Sequence, residues 1–118
     1  MSNLAEPQAV ALIGVGAMGG ALAERVLRGG FRTVLFDARA EALAPYGDRM
    51  EVAGSPRDAA ERADIVIACL ATPSSYDEGV RGPNGIAASR WRSIHVHAGT
   101  SSASLVRELA ATLATSGI

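Results

Sequence analysis

The sequence predicts an α/β fold in which helices cover both faces of a parallel sheet. Strand-like and helix-like patterns alternate along the whole chain, with no linker, low-complexity tract or internal repeat, and such alternation is typical of parallel sheets. The first apolar run is continuous, as expected for a strand covered on both faces. A glycine-rich turn then joins that run to a helical pattern. The chain of 118 residues has the size of one domain, residues 1–118, and its folding would bury roughly two-thirds of its unfolded surface.

Short segments rich in apolar and β-branched residues are predicted as strands. Their bounds are Ala9–Ile13, Thr33–Phe36, Met50–Ala53, Asp64–Leu70 and Trp91–His97. Because helices separate them, neighbouring strands are expected to run parallel. The doubly wound arrangement that suits such a chain has five strands in the order 3-2-1-4-5.

Helical periodicity and end signals predict the segments between the strands. The helices are about Ala17–Arg28, a short helix Ala40–Ala44 that ends at Pro45, Ser55 to Ala63, a helix after Thr72-Pro73, and Ala103–Thr115. Two buried stripes are expected, Met18, Leu22 and Val26 in the first helix and Leu105, Leu109 and Leu113 in the last.

Composition restricts the classes of binding partner and the cellular compartment that we expect for this chain. The formal net charge is −1 and acidic and basic residues are interspersed, which argues against a nucleic acid or a membrane as partner. Cys69 is the only cysteine, so an internal disulfide is excluded and a reducing compartment is favoured. The first residues lack the features of a secretory signal, and every apolar run is too short for a membrane span. We therefore expect a cytoplasmic protein that binds a small molecule.

Gly14, Gly16 and Gly19 form a G-x-G-x-x-G pattern directly after the first strand. Gly14 permits a tight strand-to-helix turn, Gly16 allows a pyrophosphate to approach the backbone, and Gly19 brings the helix close to the sheet. The anion would be held by free N–H groups at the helix start, where Ala17 and Met18 lie. This spacing is typical of a dinucleotide-binding turn.

Asp37 follows the second strand, about 20 residues beyond the glycines, where the dinucleotide pattern has a carboxylate. A carboxylate there accepts the ribose hydroxyls of adenosine and repels a 2′-phosphate, so NAD is the predicted cofactor. Arg39 could pair with a 2′-phosphate, which leaves NADP as the alternative. Asp37 could also be an ordinary turn residue at a strand end.

With these motifs in place, the chain resembles the β-hydroxyacid dehydrogenases, which include 3-hydroxyisobutyrate and 6-phosphogluconate dehydrogenases and the related imine reductases. The resemblance covers nearly the whole chain and rests on the run Gly14–Gly19, on Asp37, on the segment Ala53–Asp64, and on Gly82 with Gly85. It implies a Rossmann domain that binds NAD(P). It also implies a sixth strand and a following helical domain that completes the substrate site, both absent from these 118 residues.

The resemblance implies that the nicotinamide end of the cofactor lies beside Thr100 and the segment Leu70-Ala71-Thr72-Pro73. Relatives usually carry Asp-x-Ser-Thr after strand five, whereas this chain has His97-Ala98-Gly99-Thr100, which puts an ordinary 3-hydroxy acid substrate in doubt. The family's catalytic lysine lies on a helix beyond Ile118, and this sequence contains no lysine. We therefore predict no catalytic residue, and expect dinucleotide binding without turnover by this chain alone.

Two other functions fit parts of the pattern. A stand-alone dinucleotide-binding module, acting as a sensor or partner subunit, would also lack the catalytic half. Methyltransferases that use adenosyl-methionine share a glycine-rich turn and an acidic residue after strand two, but they generally lack the third glycine and the Ala-Met pair at positions 17 and 18.

Residues in the last part of the chain bear on two further questions, whether there is a metal site and whether the chain forms a homodimer. His95 and His97 alternate on one strand, and with Cys69 they could ligate a metal; packing roles are favoured because no ligand-spacing motif is present, so no metal is predicted. Ile94 and Val96 lie on the same strand, at the expected free edge of the sheet. We expect a homodimer, formed by strand-five pairing or by exchange of the last helix.

Overall fold

A single parallel sheet organises the computed structural model, which describes residues 8–90 and 93–118. Its strand order is β3-β2-β1-β4-β5, which confirms the predicted doubly wound arrangement. The strands are β1 Ala9–Ile13, β2 Arg32–Phe36, β3 Glu51–Val52, β4 Ile65–Ala68 and β5 Ile94–His97. All four neighbouring pairs are parallel.

Four of the five strands have ends that differ from the predicted ones. The third strand is reduced to Glu51–Val52, which pair with Val34 and Leu35. The fourth is Ile65–Ala68 rather than Asp64–Leu70. The Asp64 carboxylate accepts the N–H groups of Gln8 and Ala9 at 2.9 and 3.0 Å just before this strand begins. The second strand begins one residue earlier than predicted, at Arg32, which pairs with Ala9. The fifth strand begins at Ile94, and the predicted residues Trp91 and Arg92 lie outside the described residues.

The α-helices are α1 Ala17–Arg28, α2 Pro56–Glu61, α3 Pro73–Arg81 and α4 Ala103–Thr115. The predicted short helix over Ala40–Ala44 is instead a 3-10 turn over Ala40–Ala42, and a second 3-10 segment, Ala44–Arg49, runs through Pro45. Pro45 does not end the helical structure because proline is tolerated in a first turn. α2 ends at Glu61, two residues before the predicted end. A 3-10 turn over Ile86–Ala88 was not predicted.

The predicted buried stripe of α1 is wrong at Met18, which is 54% exposed. The residues that α1 buries are Gly19, Gly20 and Ala23. The start of this helix lies so close to its neighbours that a Cβ at Gly19 or Gly20 would lie 2.0 Å from another atom. Leu22 and Val26 are partly buried and pack against the core, as predicted. In α4 the prediction is confirmed, since Leu109 and Leu113 are buried and Leu105 packs against the same core.

Two apolar layers sandwich the sheet. One lies under α2, α3 and α4, where Val34, Val66 and Tyr76 are fully buried. The other lies under α1, around Leu12 and Leu35. No helix in the described ranges is long and apolar enough to cross a membrane.

β5 forms one edge of the sheet. Its residues Ile94 and Val96 are 64% and 40% exposed. His95 and His97 face α4 instead, around a small cavity that Leu109 and Leu113 also line. Within the described residues, neither His95 ring nitrogen has a hydrogen-bond partner. Burial, with a smaller contribution from His97, lowers the pKa of His95 to about 4, so the ring is neutral at neutral pH.

The packing of α1 predicts different effects of alanine at two glycines of the turn. A Cβ at Gly19 would lie 2.0 Å from the Gly14 carbonyl oxygen, whereas a Cβ at Gly16 would meet no atom within 4 Å. Gly19→Ala should therefore lower the free energy of unfolding by about 1–3 kcal/mol, as overpacking does. Gly16→Ala should lower it by less than about 1 kcal/mol, the effect of a poorer helix cap. Urea denaturation of both variants checks this, and equal losses of stability would contradict it.

Candidate functional site

A cleft of about 1170 Å³ opens at the carboxyl edge of the sheet. The loops that follow β1, β2, β3 and β4 form its walls, together with the first part of α3. Strand β1 lies between β2 and β4, so the chain order reverses at this point of the sheet. Open α/β sheets bind their ligands at such a crossover point, outside the carboxyl ends of the strands.

The floor of the cleft is the glycine-rich turn after β1. Gly14 has φ of +94°, which favours glycine, and a Cβ on it would lie 2.3 Å from the Cys69 carbonyl oxygen. The Gly14 N–H donates to the Phe36 carbonyl at 2.8 Å, which fixes the turn to the end of β2. Gly16 lines the cleft, and the space beside its Cα is open. A ligand group can therefore approach the Gly16 backbone directly.

The start of α1, at Gly16, borders this cleft. Among the α-helices of residues 8–90 and 93–118, α2, α3 and α4 are capped by the side chains of Ser55, Thr72 and Ser102, whereas α1 begins at Gly16 without a side-chain cap. The first turn of α1 carries no acidic residue, and its last turn carries Arg25 and Arg28. Free N–H groups and the positive end of the helix dipole favour an anion here, such as a phosphate group.

Asp37 lies beside the same turn, just after β2. Its Oδ2 accepts the Val15 N–H at 2.8 Å, and its Oδ1 accepts the Arg39 N–H at 2.9 Å. Burial alone would raise the pKa of Asp37, but these hydrogen bonds and the Arg39 guanidinium outweigh it and hold the pKa below its usual value. The carboxylate is therefore ionised at neutral pH.

The Asp37 carboxylate keeps capacity for a ligand. An ionised carboxylate has about four lone-pair positions, of which the Val15 and Arg39 N–H groups occupy two. The Arg39 Nε, 3.3 Å from Oδ1, takes a third. The Arg39 side chain is 62% exposed, so it can move aside at little cost. Within the described residues one position is thus left for a ligand hydroxyl, and displacement of the Arg39 side chain would free another.

Half of the predicted cofactor residues line the cleft, namely Gly14, Gly16, Asp37, Arg39, Leu70 and Ala71. Gly19 instead packs beneath the turn, and Ala17 and Met18 are exposed in the first turn of α1. Thr72 caps α3 by accepting the Ser75 N–H at 3.1 Å, with Pro73 as the first residue of that helix. Thr100 is exposed in the loop between β5 and α4.

Some lining residues were not predicted. They follow β3 or lie in or just beyond α3, and they include Gly54, Ser55, Ser74, Ser75, Asp77, Glu78 and Asn84. The strand order could have predicted the lining residues after β3, because it places the loop after β3 next to the loop after β2. The residues of α3 line the cleft because of how that helix packs, and no local sequence motif predicts this packing.

Cys69 also lines the cleft, at the end of β4. Burial raises the pKa of its thiol, so the thiol is neutral and a poor nucleophile at neutral pH. Within the described ranges, no group of three His, Cys, Asp or Glu side chains is placed to hold a metal ion.

Known proteins share this sequence pattern. Residues 9–118 match the family described as the NAD binding domain of 6-phosphogluconate dehydrogenase. Mitochondrial 3-hydroxyisobutyrate dehydrogenase of Bos taurus is 35% identical over 85 residues, which are 71% of this chain and 25% of the relative. L-threonate dehydrogenase of Cupriavidus necator is 33% identical over 81 residues, or 68% of this chain and 27% of the relative. The chain thus spans about a quarter of the length of these relatives.

Solved structures share the fold. An imine reductase from Myxococcus stipitatus in complex with NADP+ has a TM-score of 0.83 at 24% identity, covering 93% of this chain and 38% of the reductase. Its V8 variant in complex with NAD+ has a TM-score of 0.84 at 24% identity, covering 94% of this chain and 38% of the variant. From the match over residues 9–118, the chain belongs to the family of NAD-binding domains typified by 6-phosphogluconate dehydrogenase.

Proposed function

We propose that the cleft binds NAD(H) and that the chain is the cofactor-binding domain of an oxidoreductase that acts on the hydroxyl group of a hydroxy acid. One observation carries the proposal: the uncapped start of α1 and the ionised carboxylate of Asp37 lie side by side in the cleft, joined by the bond from the Val15 N–H to Oδ2. An anion site next to a hydroxyl acceptor suits the pyrophosphate and ribose of a dinucleotide.

The residues present fit each part of the cofactor. Asp37 would accept the adenosine ribose, and the N–H groups of Gly16, Ala17 and Met18 would hold the pyrophosphate. Leu70 and Ala71 line the cleft and lead toward Thr72, Pro73 and Thr100, which we assign to the nicotinamide end. The bound cofactor supplies hydride transfer. The chain's own residues bind and orient it.

The charges at the ribose end favour NAD over NADP. The lowered pKa of Asp37 keeps a negative charge there, which would repel a 2′-phosphate. Arg39 is the group that would serve NADP, but the Asp37 carboxylate lies directly beside it and would repel the 2′-phosphate. Fold neighbours bind either NADP+ or NAD+, so the preference of this chain rests on Asp37 and Arg39.

The chain supplies binding without the family's acid–base group. It contains no lysine, and the Cys69 thiol is neutral. The family match supports the cofactor domain of a dehydrogenase over a stand-alone sensor module. We also place the chain in the cytoplasm, supported by its single cysteine, although relatives such as the bovine enzyme are named as mitochondrial.

The assembly that we propose is a homodimer of this chain, formed at the free edge of β5. The backbone groups on one side of β5 have no strand partner within the described residues. Ile94 and Val96 are exposed on this strand. β5 carries no acidic residue, arginine or lysine, the charges that usually protect an edge strand. A second copy presents the same edge, which carries none of these side chains within β5.

The first test concerns cofactor preference. Asp37→Ser should weaken NADH binding by about tenfold or more, because hydrogen bonds to a charged acceptor are lost, and should relieve discrimination against NADPH. Fluorescence titration with NADH and NADPH measures both effects. Asp37→Asn, which keeps an oxygen for the Val15 N–H, guards against a folding defect, and Asp48→Ser, an exposed carboxylate outside the cleft, should change nothing. Tighter binding of NADPH than NADH by the unaltered chain would overturn the assignment of Asp37.

The second test concerns turnover. General acid–base catalysis contributes roughly 10²–10⁴ in rate, and this chain lacks the family's lysine. The purified chain should bind NADH yet show no oxidation of 3-hydroxyisobutyrate, serine or 6-phosphogluconate above background when supplied with NAD+. Absorbance of NADH reports turnover, and the binding titration on the same sample shows that the protein is folded. Robust oxidation of any of these substrates would refute the proposal.

The third test concerns assembly. Light scattering at micromolar concentration should give the mass of a dimer. Val96→Lys should yield a monomer if β5 pairs with β5, whereas Val52→Lys, at the opposite edge of the sheet and 50% exposed, should leave the dimer intact. A dimer that survives Val96→Lys indicates exchange of α4 instead. A strictly monomeric mass for the unaltered chain, unchanged on concentration, rules out the homodimer.

A further inference from the structure

Tyr76 in α3 joins the end of β4 to the loop that follows it. Its side chain is 1% exposed and is the largest fully buried one in residues 8–90 and 93–118. The hydroxyl accepts the Leu70 N–H at 3.0 Å and donates to the Ala68 carbonyl at 3.3 Å. Leu70 lines the cleft, so the hydroxyl fixes the backbone of a cleft wall from behind.

The same side chain contacts the loop after β5. Its ring stacks on the ring of His97, with centroids 4.0 Å apart and planes at 22°. His97 Nε2 lies 3.0 Å from Ser101 Oγ, in the same loop. A Cβ added to Gly99 would lie 1.9 Å from the Tyr76 hydroxyl oxygen. The backbone of this loop therefore passes directly over the hydroxyl group, and only glycine fits there.

A purely apolar role does not explain the hydroxyl group. The ring fills the core as a phenylalanine ring would, while burying a hydroxyl is costly unless it is hydrogen-bonded. Here the cost is offset by pairing the Leu70 N–H, which belongs to a loop and not to the sheet. The gain from tyrosine over phenylalanine is thus the fixed position of that loop.

We propose that Tyr76 is a positioning residue that sets the spacing of the two loops receiving the nicotinamide half of the dinucleotide. It does not line the cleft, and it acts through Leu70 on one side and through Gly99 on the other. This inference rests on the proposed function. The adenosine half is held elsewhere, by Asp37 and the start of α1, after β2 and β1. The two halves of the cofactor should therefore respond differently to a change at Tyr76.

Calorimetric titration of the full 118-residue chain with NADH and with ADP-ribose, which lacks the nicotinamide, tests this difference. Tyr76→Phe should weaken NADH binding about three- to tenfold, the effect of losing the hydrogen bonds of one hydroxyl. The same variant should bind ADP-ribose within about twofold of the unaltered chain, because its adenosine site is untouched. A merely structural role would change both affinities together or neither.

Matched variants separate the possible causes of a lower NADH affinity in Tyr76→Phe. Tyr46→Phe removes a hydroxyl that contacts α1 near Gly20 and should leave the ratio of the two affinities unchanged. Gly16→Ala should weaken both ligands, since both carry the pyrophosphate. If thermal denaturation shows that Tyr76→Phe is unfolded, Gly99→Ala replaces it, because it displaces the loop while Tyr76 stays in the core.

The outcomes distinguish this inference from the proposed function. Failure of the unaltered chain to bind either ligand would overturn the proposed function. If the chain binds ADP-ribose and NADH equally, or if Tyr76→Phe binds both as the unaltered chain does, the proposed function stands and the role of Tyr76 is overturned. A lower affinity for NADH alone, in Tyr76→Phe or in Gly99→Ala, supports it.

Discussion

The close contact between the start of α1 and the turn after β1 is the constraint on which the rest of the structure depends. Gly19 lies against the Gly14 carbonyl with no room for a side chain, and Gly14 lies equally close to the backbone at Cys69. The turn is therefore held between its own helix and the neighbouring strand β4. This contact brings backbone to backbone, and α1 begins without a side-chain cap at Gly16, which lines the cleft. The anion site follows from the packing.

Asp37 links that turn to the second strand and has two roles. It accepts the Val15 N–H and thereby fixes the turn relative to β2, and it presents charge to the cleft. Since the bonds that lower its pKa come mainly from backbone N–H groups, the charge is held in place by the fold itself. A ligand hydroxyl then meets an acceptor that is already oriented, which reduces the entropy lost on binding.

The parts of the structure that the sequence predicts well are those governed by local chemistry. β1 and α4 have the predicted bounds because a continuous apolar run and a leucine stripe leave little choice of register. The glycine positions and Asp37 follow from spacing. The errors arise where tertiary contacts decide: Met18 is exposed in the first turn of α1, and the Asp64 carboxylate accepts the Gln8 and Ala9 N–H groups just before β4 begins. The same holds for Tyr76, whose partners lie on β4 and β5 and whose role no local pattern indicates.

The sheet thus divides the proposed site into two halves that depend on different forces. On the side of β1 and β2, glycine packing and an ionised carboxylate build the adenosine end from backbone contacts. On the side of β4 and β5, the loops are positioned by one buried tyrosine, and β5 itself has a free edge with Ile94 and Val96 exposed. Fewer such contacts hold the loops on the side of β4 and β5 within the described residues. An added contact at the β5 edge would therefore restrain the proposed nicotinamide loops more strongly. If the proposed homodimer pairs through β5, assembly and cofactor orientation would be coupled through one strand, because that pairing would also hold the loop that passes over Tyr76.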